Sequence, residues 1–170
     1  MILRCVGAIL IIFASGAMGV MMSYSYRKRI AALRNLINST TCMAEQLRYQ
    51  LLPLPELCQS AAQVSSGPVR AILIDLGNAL HRCNAPEVIG VMEKILSKYP
   101  DLDPCVREEL INLGKVLGRF DLEGQVSGIA AVTELTKRDL AGLEMAKEVR
   151  IRNYHTLAIC AGISLVILFI

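Results

Sequence analysis

A largely apolar run without charged residues forms each end of this chain, and spaced apolar stripes lie between the two runs. No charged residue lies between Cys5 and Tyr26, and none lies between Asn153 and Ile170 when His155 is neutral. A helix crosses the hydrocarbon core of a bilayer with about 20 apolar residues. The pattern predicts transmembrane helices at residues 1–26 and 153–170, the second of them short, and a separate domain at residues 27–152.

The middle of the chain has the spacing of helices and shows no sustained alternation typical of strands. Apolar residues recur at threes and fours from Ile30 through Thr40 to Leu51, and Pro53 ends that segment. Four shorter helices are expected at about 55–64, 68–80, 86–98 and 104–117, because Ser, Gly, Asn and Pro separate these segments. Asp103, directly before Pro104, is the expected N-cap of the fourth of them.

The last predicted helix is long and runs into the second apolar end. Its stripe extends from Val126 through Ile129 and Val132 to Ala146, and Glu134 is expected to pair with Arg138 one turn away. The predicted fold is therefore all-α, an antiparallel bundle of about six helices between the two transmembrane helices. Its first and last helices, each continuous with one span, are expected to lie side by side.

Clusters of cations lie on the inner side of both apolar ends. They are Arg27, Lys28 and Arg29 after the first end, and Lys147, Arg150 and Arg152 before the second. Positive charge stays on the cytoplasmic side of a bilayer, so both clusters predict that the middle domain is cytoplasmic. We expect the same six residues to contact anionic lipid headgroups. The alternative interpretation is that these cations only set the orientation of the chain in the membrane and do not bind particular lipids.

The ends also permit other interpretations. The first run could be a secretory signal peptide, although it continues through Met21 and Met22 beyond the small residues where cleavage would occur. The second run has 15 residues after His155 and could be a buried helix of a soluble domain.

The charge balance and the cysteines of the middle domain limit which functions and which cell compartment suit it. Residues 35–146 hold ten Lys and Arg against fourteen Asp and Glu, which is unlike the basic surface of a nucleic-acid-binding domain. The cysteines outside the apolar ends are Cys42, Cys58, Cys83 and Cys105, and none forms a C-x-x-C pair. In a cytoplasmic domain we expect them to be reduced and buried, whereas outside the cell two disulfides would become possible.

The sequence offers little for catalysis. It has two histidines, and His81 and Cys83 at i and i+2 do not share a helix face. It has no P-loop, dinucleotide fingerprint or H-E-x-x-H motif. We therefore expect no enzyme activity, no cofactor, no metal and no small-molecule substrate. A minor alternative is an enzyme that uses His81.

Two glycine pairs flank the corner before the last helix, Gly114 with Gly118 and Gly124 with Gly128. Glycine inside a helix costs about 1 kcal/mol relative to alanine, so such pairs indicate close helix packing or a groove for a partner. The corner residues Gly114, Gly118 and Asp121 are accordingly candidates for a packing or partner site, and the family resemblance given next adds Gln125 to them.

The same corner resembles a known family. The segment from Leu113 to Asp121, followed by Gln125, is similar to the L-G-x-x-L-G-x-x-D-x-x-x-Q corner of stage III sporulation protein AB. The segments 45–54, 3–8 and 161–168 resemble further parts of that family in the same order. Gln50, Leu52 and Phe120 depart from its pattern, at positions where a glycine, a threonine and a small polar residue are usual.

The resemblance implies a mother-cell membrane protein of endospore-forming bacteria. Its helical domain would be similar to that of the inner-membrane platform proteins of type II secretion and type IV pilus machines. The expected partners are membrane lipids and other proteins of the stage III sporulation A cluster, the cytoplasmic ATPase stage III sporulation protein AA among them. The function expected is a scaffold of a secretion-like channel between mother cell and forespore. The alternative is an extracytoplasmic helical interaction module anchored by its C-terminal tail.

Overall fold

The computed structural model describes the backbone of residues 2–82, 87–118 and 121–169, and the side chains of residues 24–82, 87–118 and 121–145. These residues form six α-helices and no strand. The helices are α1 Ile2–Gln50, α2 Leu54–Gln63, α3 Gly67–Arg82, α4 Val88–Leu96, α5 Pro104–Val116 and α6 Leu122–Phe169. The all-α prediction and the order of the helices are thereby confirmed for the described part of the chain.

The chain divides into two compact units. One is Arg29–Leu140, and the other combines Met1–Lys28 with Ala141–Ile170. Among residues 24–82, 87–118 and 121–145, no helix is both long enough and apolar enough to cross a membrane. The predicted spans at 1–26 and 153–170 lie outside the described side chains, except for residues 24–26. The two spans remain a prediction.

The unit Arg29–Leu140 has an apolar core to which all six helices contribute. Its fully buried large side chains include Leu33, Leu36, Met43, Leu57, Ile72, Leu73, Leu76, Met92, Leu96, Leu110, Leu113 and Leu117. Burying one such side chain stabilises a fold by about 1.5–3 kcal/mol. The helices pack in sequence order, α2 on α3, α3 on α4 and α4 on α5.

Helices α1 and α6 run antiparallel within this unit. The hydroxyl of Thr133 in α6 donates to the hydroxyl of Thr40 in α1 at 2.8 Å. Farther along α1, Leu47 borders a cavity together with Leu122 and Gln125, from the beginning of α6. Residue numbers therefore increase along α1 in the direction in which they decrease along α6, so the two helices are antiparallel, as predicted.

The helix ends follow local chemistry. Asp103 is the N-cap of α5, as predicted, because its carboxylate accepts from the Cys105 backbone N–H at 3.0 Å. Helix α4 ends at Leu96, earlier than the predicted Lys98, because Ser97 and Lys98 form a turn. Its predicted start at Pro86 lies outside the described residues.

One prediction about a side chain was wrong, and a second one named only one of two partners. Leu51 was expected on the buried stripe of α1, but it follows the last residue of that helix and is 63% exposed. Glu134 accepts a hydrogen bond from Lys137 at 2.7 Å, and the nearby charge of Arg138 also lowers the pKa of its carboxylate. Residues three and four positions away are both within reach on a helix, so spacing alone did not select the partner.

A row of buried polar side chains was not predicted. Its members are Ser39, Thr40, Ser65, Glu109, Thr133 and Thr136. Most pair with one another, since Ser39 donates to Ser65 at 2.9 Å and Thr136 donates to Glu109 at 3.3 Å. Such pairing offsets the cost of removing polar groups from water.

Candidate interaction site at the helix corner

The predicted corner residues lie where α5 gives way to α6, and they divide between packing and surface. Gly114 is buried, and a methyl group on its Cα would lie 3.1 Å from Met92 Cβ in α4. That distance is typical of tight helix packing, the first of the two interpretations of the glycine pairs. Gly128 is similarly close to Val116 of α5.

Gly118 ends the turn after α5 with a φ of +76°. Residues with a side chain rarely adopt this left-handed conformation. A methyl group there would also lie 2.9 Å from Val88 Cγ2, at the first residue of α4. Glycine is therefore required at this position both by the backbone and by its neighbour.

Asp121 begins the last helix as an exposed capping residue. Its Oδ1 accepts from the Gly124 backbone N–H at 3.1 Å, and its carbonyl accepts from the Gln125 N–H at 2.9 Å. Caps of this kind contribute about 1 kcal/mol to helix stability. The role of Asp121 is thus to start α6 at a defined point.

A cavity of about 260 Å³, the corner pocket, opens beside these residues. Its lining comes from two sides of the bundle: Leu47, Leu52 and Leu54 at the junction of α1 and α2, and Gly118, Leu122 and Gln125 at the corner. Two of the four predicted corner residues, Gly118 and Gln125, therefore contribute to a surface cavity. The leucines at the α1–α2 junction were not predicted as site residues, because the proline breaks there indicated only a turn.

Leu51, the residue that follows α1, has an unusual backbone conformation. It is a non-glycine residue with a φ of +52°. For a bulky side chain this left-handed conformation costs roughly 1–2 kcal/mol. Tyr49, two residues before it, is 79% exposed. The end of α1 therefore presents two large side chains to solvent, and the backbone of one of them is strained.

The six predicted membrane-surface cations have different surroundings. Arg27 is exposed, and the ammonium of Lys28 lies 4.6 Å from the centre of the Tyr24 ring. The guanidinium of Arg29 forms an ion pair with Asp103 at 3.1 Å. Lys147, Arg150 and Arg152 lie outside the described side chains. Arg29 thus ties α1 to the start of α5 in addition to any role at a membrane.

The described cysteines are free thiols. Cys58 is fully buried, and burial raises the pKa of its thiol to about 12. Burial also raises the pKa of Cys42 and Cys105, which are half-buried. Cys105 donates to Asp139 at 3.1 Å. Thiols with raised pKa values are poor nucleophiles, because the thiolate is the reactive form.

Glu109 is the one carboxylate of the buried polar row. Loss of solvation raises its pKa, the nearby Asp139 and Glu108 raise it further, and the hydrogen bond from Thr136 opposes the change. Among the described residues, no group of three or more His, Cys, Asp or Glu side chains could hold a metal ion.

Comparison with known proteins places this fold and corner in a family. The family model for stage III sporulation protein AB matches residues 4–170. The chain belongs to the stage III sporulation protein AB family. The resemblance noted in the corner, in the segment 45–54 and at both ends is thereby confirmed over almost the whole length. Membership in this family implies a role in sporulation.

A solved structure of a stage III sporulation protein AB has the same fold. It superposes with a TM-score of 0.63 at 22% identity, and the match covers 72% of this chain and 98% of that chain. At that identity the similarity supports the helical fold alone. A search of curated protein sequences found no match.

Proposed function

We propose that this chain is a non-enzymatic platform of a secretion-like channel between mother cell and forespore, and that endospore formation requires it. The observation that carries the proposal is the family match over residues 4–170, which includes both apolar ends and the helical domain between them. A scaffold needs a rigid body and surfaces for partners. The helical unit Arg29–Leu140, with its apolar core and corner pocket, suits that role.

The proposed location is the mother-cell membrane that faces the forespore, with two spans and a cytoplasmic middle domain. The cation clusters at Arg27–Arg29 and Lys147–Arg152 support this orientation, because positive charge stays on the cytoplasmic side. Exposed cations near a bilayer gain about 1 kcal/mol each from anionic lipids. Tyr24 and Lys28, in contact with each other, suit the boundary between lipid and water.

The proposed partners are membrane lipids and other proteins of the stage III sporulation A cluster. The similarity to secretion platform proteins that the family resemblance implies would put the chain near the cytoplasmic ATPase, stage III sporulation protein AA. This is an analogy of folds, which carries less weight than family membership. Nucleic acids and small-molecule substrates have no place in the proposal.

Reversal of the membrane-side cations tests the proposal in a sporulating strain that lacks the native gene. The variant carries Arg27→Glu, Lys28→Glu, Arg150→Glu and Arg152→Glu, and leaves Arg29 unchanged because it stabilises the bundle through Asp103. We expect misplacement of the protein on membrane fractionation and a loss of heat-resistant spores.

The matched control reverses four exposed cations of the helical unit instead, Arg70, Arg82, Lys94 and Lys98. This control changes net charge equally but leaves the membrane-side clusters intact. Normal membrane position and normal spore counts in the membrane-side variant would refute the proposed seating.

A further inference from the structure

Glu109 is a buried carboxylate at the contact between α5 and α6. It is 6% exposed, and the hydroxyl of Thr136 in α6 donates to its Oε2 at 3.3 Å. Among the described residues this is the one hydrogen bond to the carboxylate, and no Lys or Arg forms an ion pair with it. Glutamates are almost never fully buried unless they are paired, because an unpaired charge is costly to remove from water.

The charges that face Glu109 are negative. Asp139 faces it from α6 and Glu108 from its own helix, and both oppose its ionised form. The position of Asp139 is fixed by a second contact between the same two helices, since it accepts from the Cys105 thiol at 3.1 Å. Cys105 and Glu109 are one turn apart on α5, and Asp139 and Thr136 are one turn apart on α6.

The cation that α1 brings to this region is engaged with other groups. The guanidinium of Arg29 interacts with Cys105 and forms an ion pair with Asp103 at 3.1 Å. It is not among the groups that shift the pKa of Glu109. When both are ionised, Glu109 and Asp139 therefore repel each other across the contact between α5 and α6, with no described cation paired to either of them.

The hydroxyls of α6 allow it to separate from α5 locally. Thr136 also donates to the carbonyl of Val132 in its own helix at 2.8 Å, the shorter of its two contacts. It would therefore stay hydrogen-bonded without Glu109. One turn earlier, Thr133 donates to Thr40 of α1 at 2.8 Å. Separation of α6 from α5 does not require its separation from α1.

We propose that the Glu109 carboxyl is a proton-operated latch between α5 and α6. When the carboxyl is protonated, the two helices stay closed at Thr136. When it releases its proton to solvent, repulsion from Asp139 and hydration of the carboxylate favour an open state, in which residues 133–140 move away from α5. The latch does not require that the chain be a channel platform.

The direction of the pH effect follows from the closed state. Burial, followed by the charges of Asp139 and Glu108, raises the pKa of Glu109, and the hydrogen bond from Thr136 opposes the change. In the open state the carboxyl is in water and has its ordinary pKa. The closed state thus binds the proton more tightly. It is fully favoured below the ordinary pKa and is lost as the pH rises through the raised one.

Hydrogen exchange of the full-length chain in detergent micelles, resolved into peptides by mass spectrometry, measures the opening. Rising pH speeds the exchange of every amide, so residues 133–140 are compared with α3, a helix of the same unit that contributes no group to the latch. From mildly acidic to neutral pH, we expect the protection of residues 133–140 to fall about two- to fivefold relative to α3. This is the effect of one partly exposed charge interaction.

Two variants remove one charge each and keep the hydrogen-bond acceptor. Glu109→Gln cannot ionise and still accepts from Thr136, so the relative protection of residues 133–140 should no longer depend on pH. Asp139→Asn still accepts from Cys105 and lacks the facing charge, so it should reduce the pH dependence.

Glu134→Gln is the control on the same helix. Glu134 pairs with Lys137 at 2.7 Å on the exposed side of α6, so this variant should keep the pH dependence of the native chain. Relative protection of the native chain that does not change with pH would overturn the latch. So would an equal loss of protection in α3, which would mean global destabilisation, or a pH dependence that persists in Glu109→Gln. If Glu109→Gln does not fold, an undiminished pH dependence in Asp139→Asn overturns the latch.

Discussion

Two glycines of the helical unit have the same backbone conformation and different surroundings. Gly67 and Gly118 have φ values of +62° and +76°. A methyl group on Gly67 would meet no atom within 4 Å, whereas on Gly118 it would lie 2.9 Å from Val88 Cγ2. The pair separates the cost of backbone conformation from the cost of crowding.

The first prediction concerns the replacement of each of these glycines by alanine. Gly67→Ala should lower the free energy of unfolding by about 1 kcal/mol, the cost of the left-handed conformation. Gly118→Ala should lower it by roughly 2–3 kcal/mol, because the displaced Val88 adds an overpacking cost. Thermal unfolding of the purified full-length chain, followed by circular dichroism, measures both. If both variants lose the same free energy of unfolding, the Val88 side chain moves aside without an energetic cost, and the prediction for Gly118 is wrong.

At the scale of the element, Asp103 serves two helices at once. Its Oδ1 caps α5 through the Cys105 N–H at 3.0 Å and pairs with Arg29 of α1 at 3.1 Å. Asparagine keeps the capping oxygen and loses the charge, and alanine loses both. These two substitutions therefore separate the cap from the ion pair.

Asp103→Asn should cost at most about 1 kcal/mol of stability, because both partners of the ion pair are partly exposed. Asp103→Ala should cost about 1 kcal/mol more through loss of the cap. Arg29→Gln is the matched control and should resemble Asp103→Asn. If the asparagine and alanine variants have the same unfolding midpoint, Asp103 does not act as a cap.

Glu109 gives the packing of α5 on α6 a dependence on pH. Its pKa is raised in the folded chain by burial, by Asp139 and by Glu108. The folded state then binds the proton more tightly than the unfolded state, so stability falls as pH rises from the unfolded pKa through the folded pKa.

Glu109→Gln should therefore stabilise the chain at neutral pH and flatten this dependence, since the amide can still accept from Thr136. The matched control is Glu108→Gln, at an exposed neighbouring position, which should change the profile far less. Unfolding midpoints from mildly acidic to neutral pH measure the effect. A glutamine variant less stable than the native chain at neutral pH would contradict the prediction.

The sequence could predict the helices much better than the contacts between them. Pro53, Pro104 and the glycines mark helix ends through local chemistry, and Asp103 could be recognised as a cap beside Pro104. The buried polar row could not be predicted, because its partners are far apart, as with Thr40 and Thr133 at 93 positions. The left-handed Leu51 could not be predicted either, since local preference at a helix end favours glycine.

At the corner, Gly118 could be predicted as a site residue from its glycine pair, and Gln125, in the first turns of α6, from the resemblance to the family's corner motif. Leu47, Leu52 and Leu54 complete the pocket from a distant segment, and only the packing of α1 and α2 on the corner brings them there. The corner half of the pocket lining could therefore be predicted from the sequence. The leucines of the other half could not, because only tertiary packing brings them to the corner.

At the scale of the whole molecule, the sidedness of the helical unit decides between the two functions considered for this chain. A platform requires that unit in the cytoplasm, and an anchored secreted module requires it outside. The unit offers exposed sites to trypsin at Arg70, Arg82 and Lys98. Cleavage there depends on which side the protease can reach.

We expect trypsin to leave the helical unit intact in right-side-out vesicles and to cleave it in inverted vesicles, because both cation clusters hold it inside.

Trypsin-cleavable tags at the two chain ends extend the test. If both spans cross the bilayer and the middle domain is cytoplasmic, both chain ends lie outside. Trypsin should therefore remove both tags from right-side-out vesicles. Loss of the N-terminal tag alone would mean that residues 153–170 do not cross the bilayer. Cleavage of the helical unit from outside would exclude the platform and favour the anchored module.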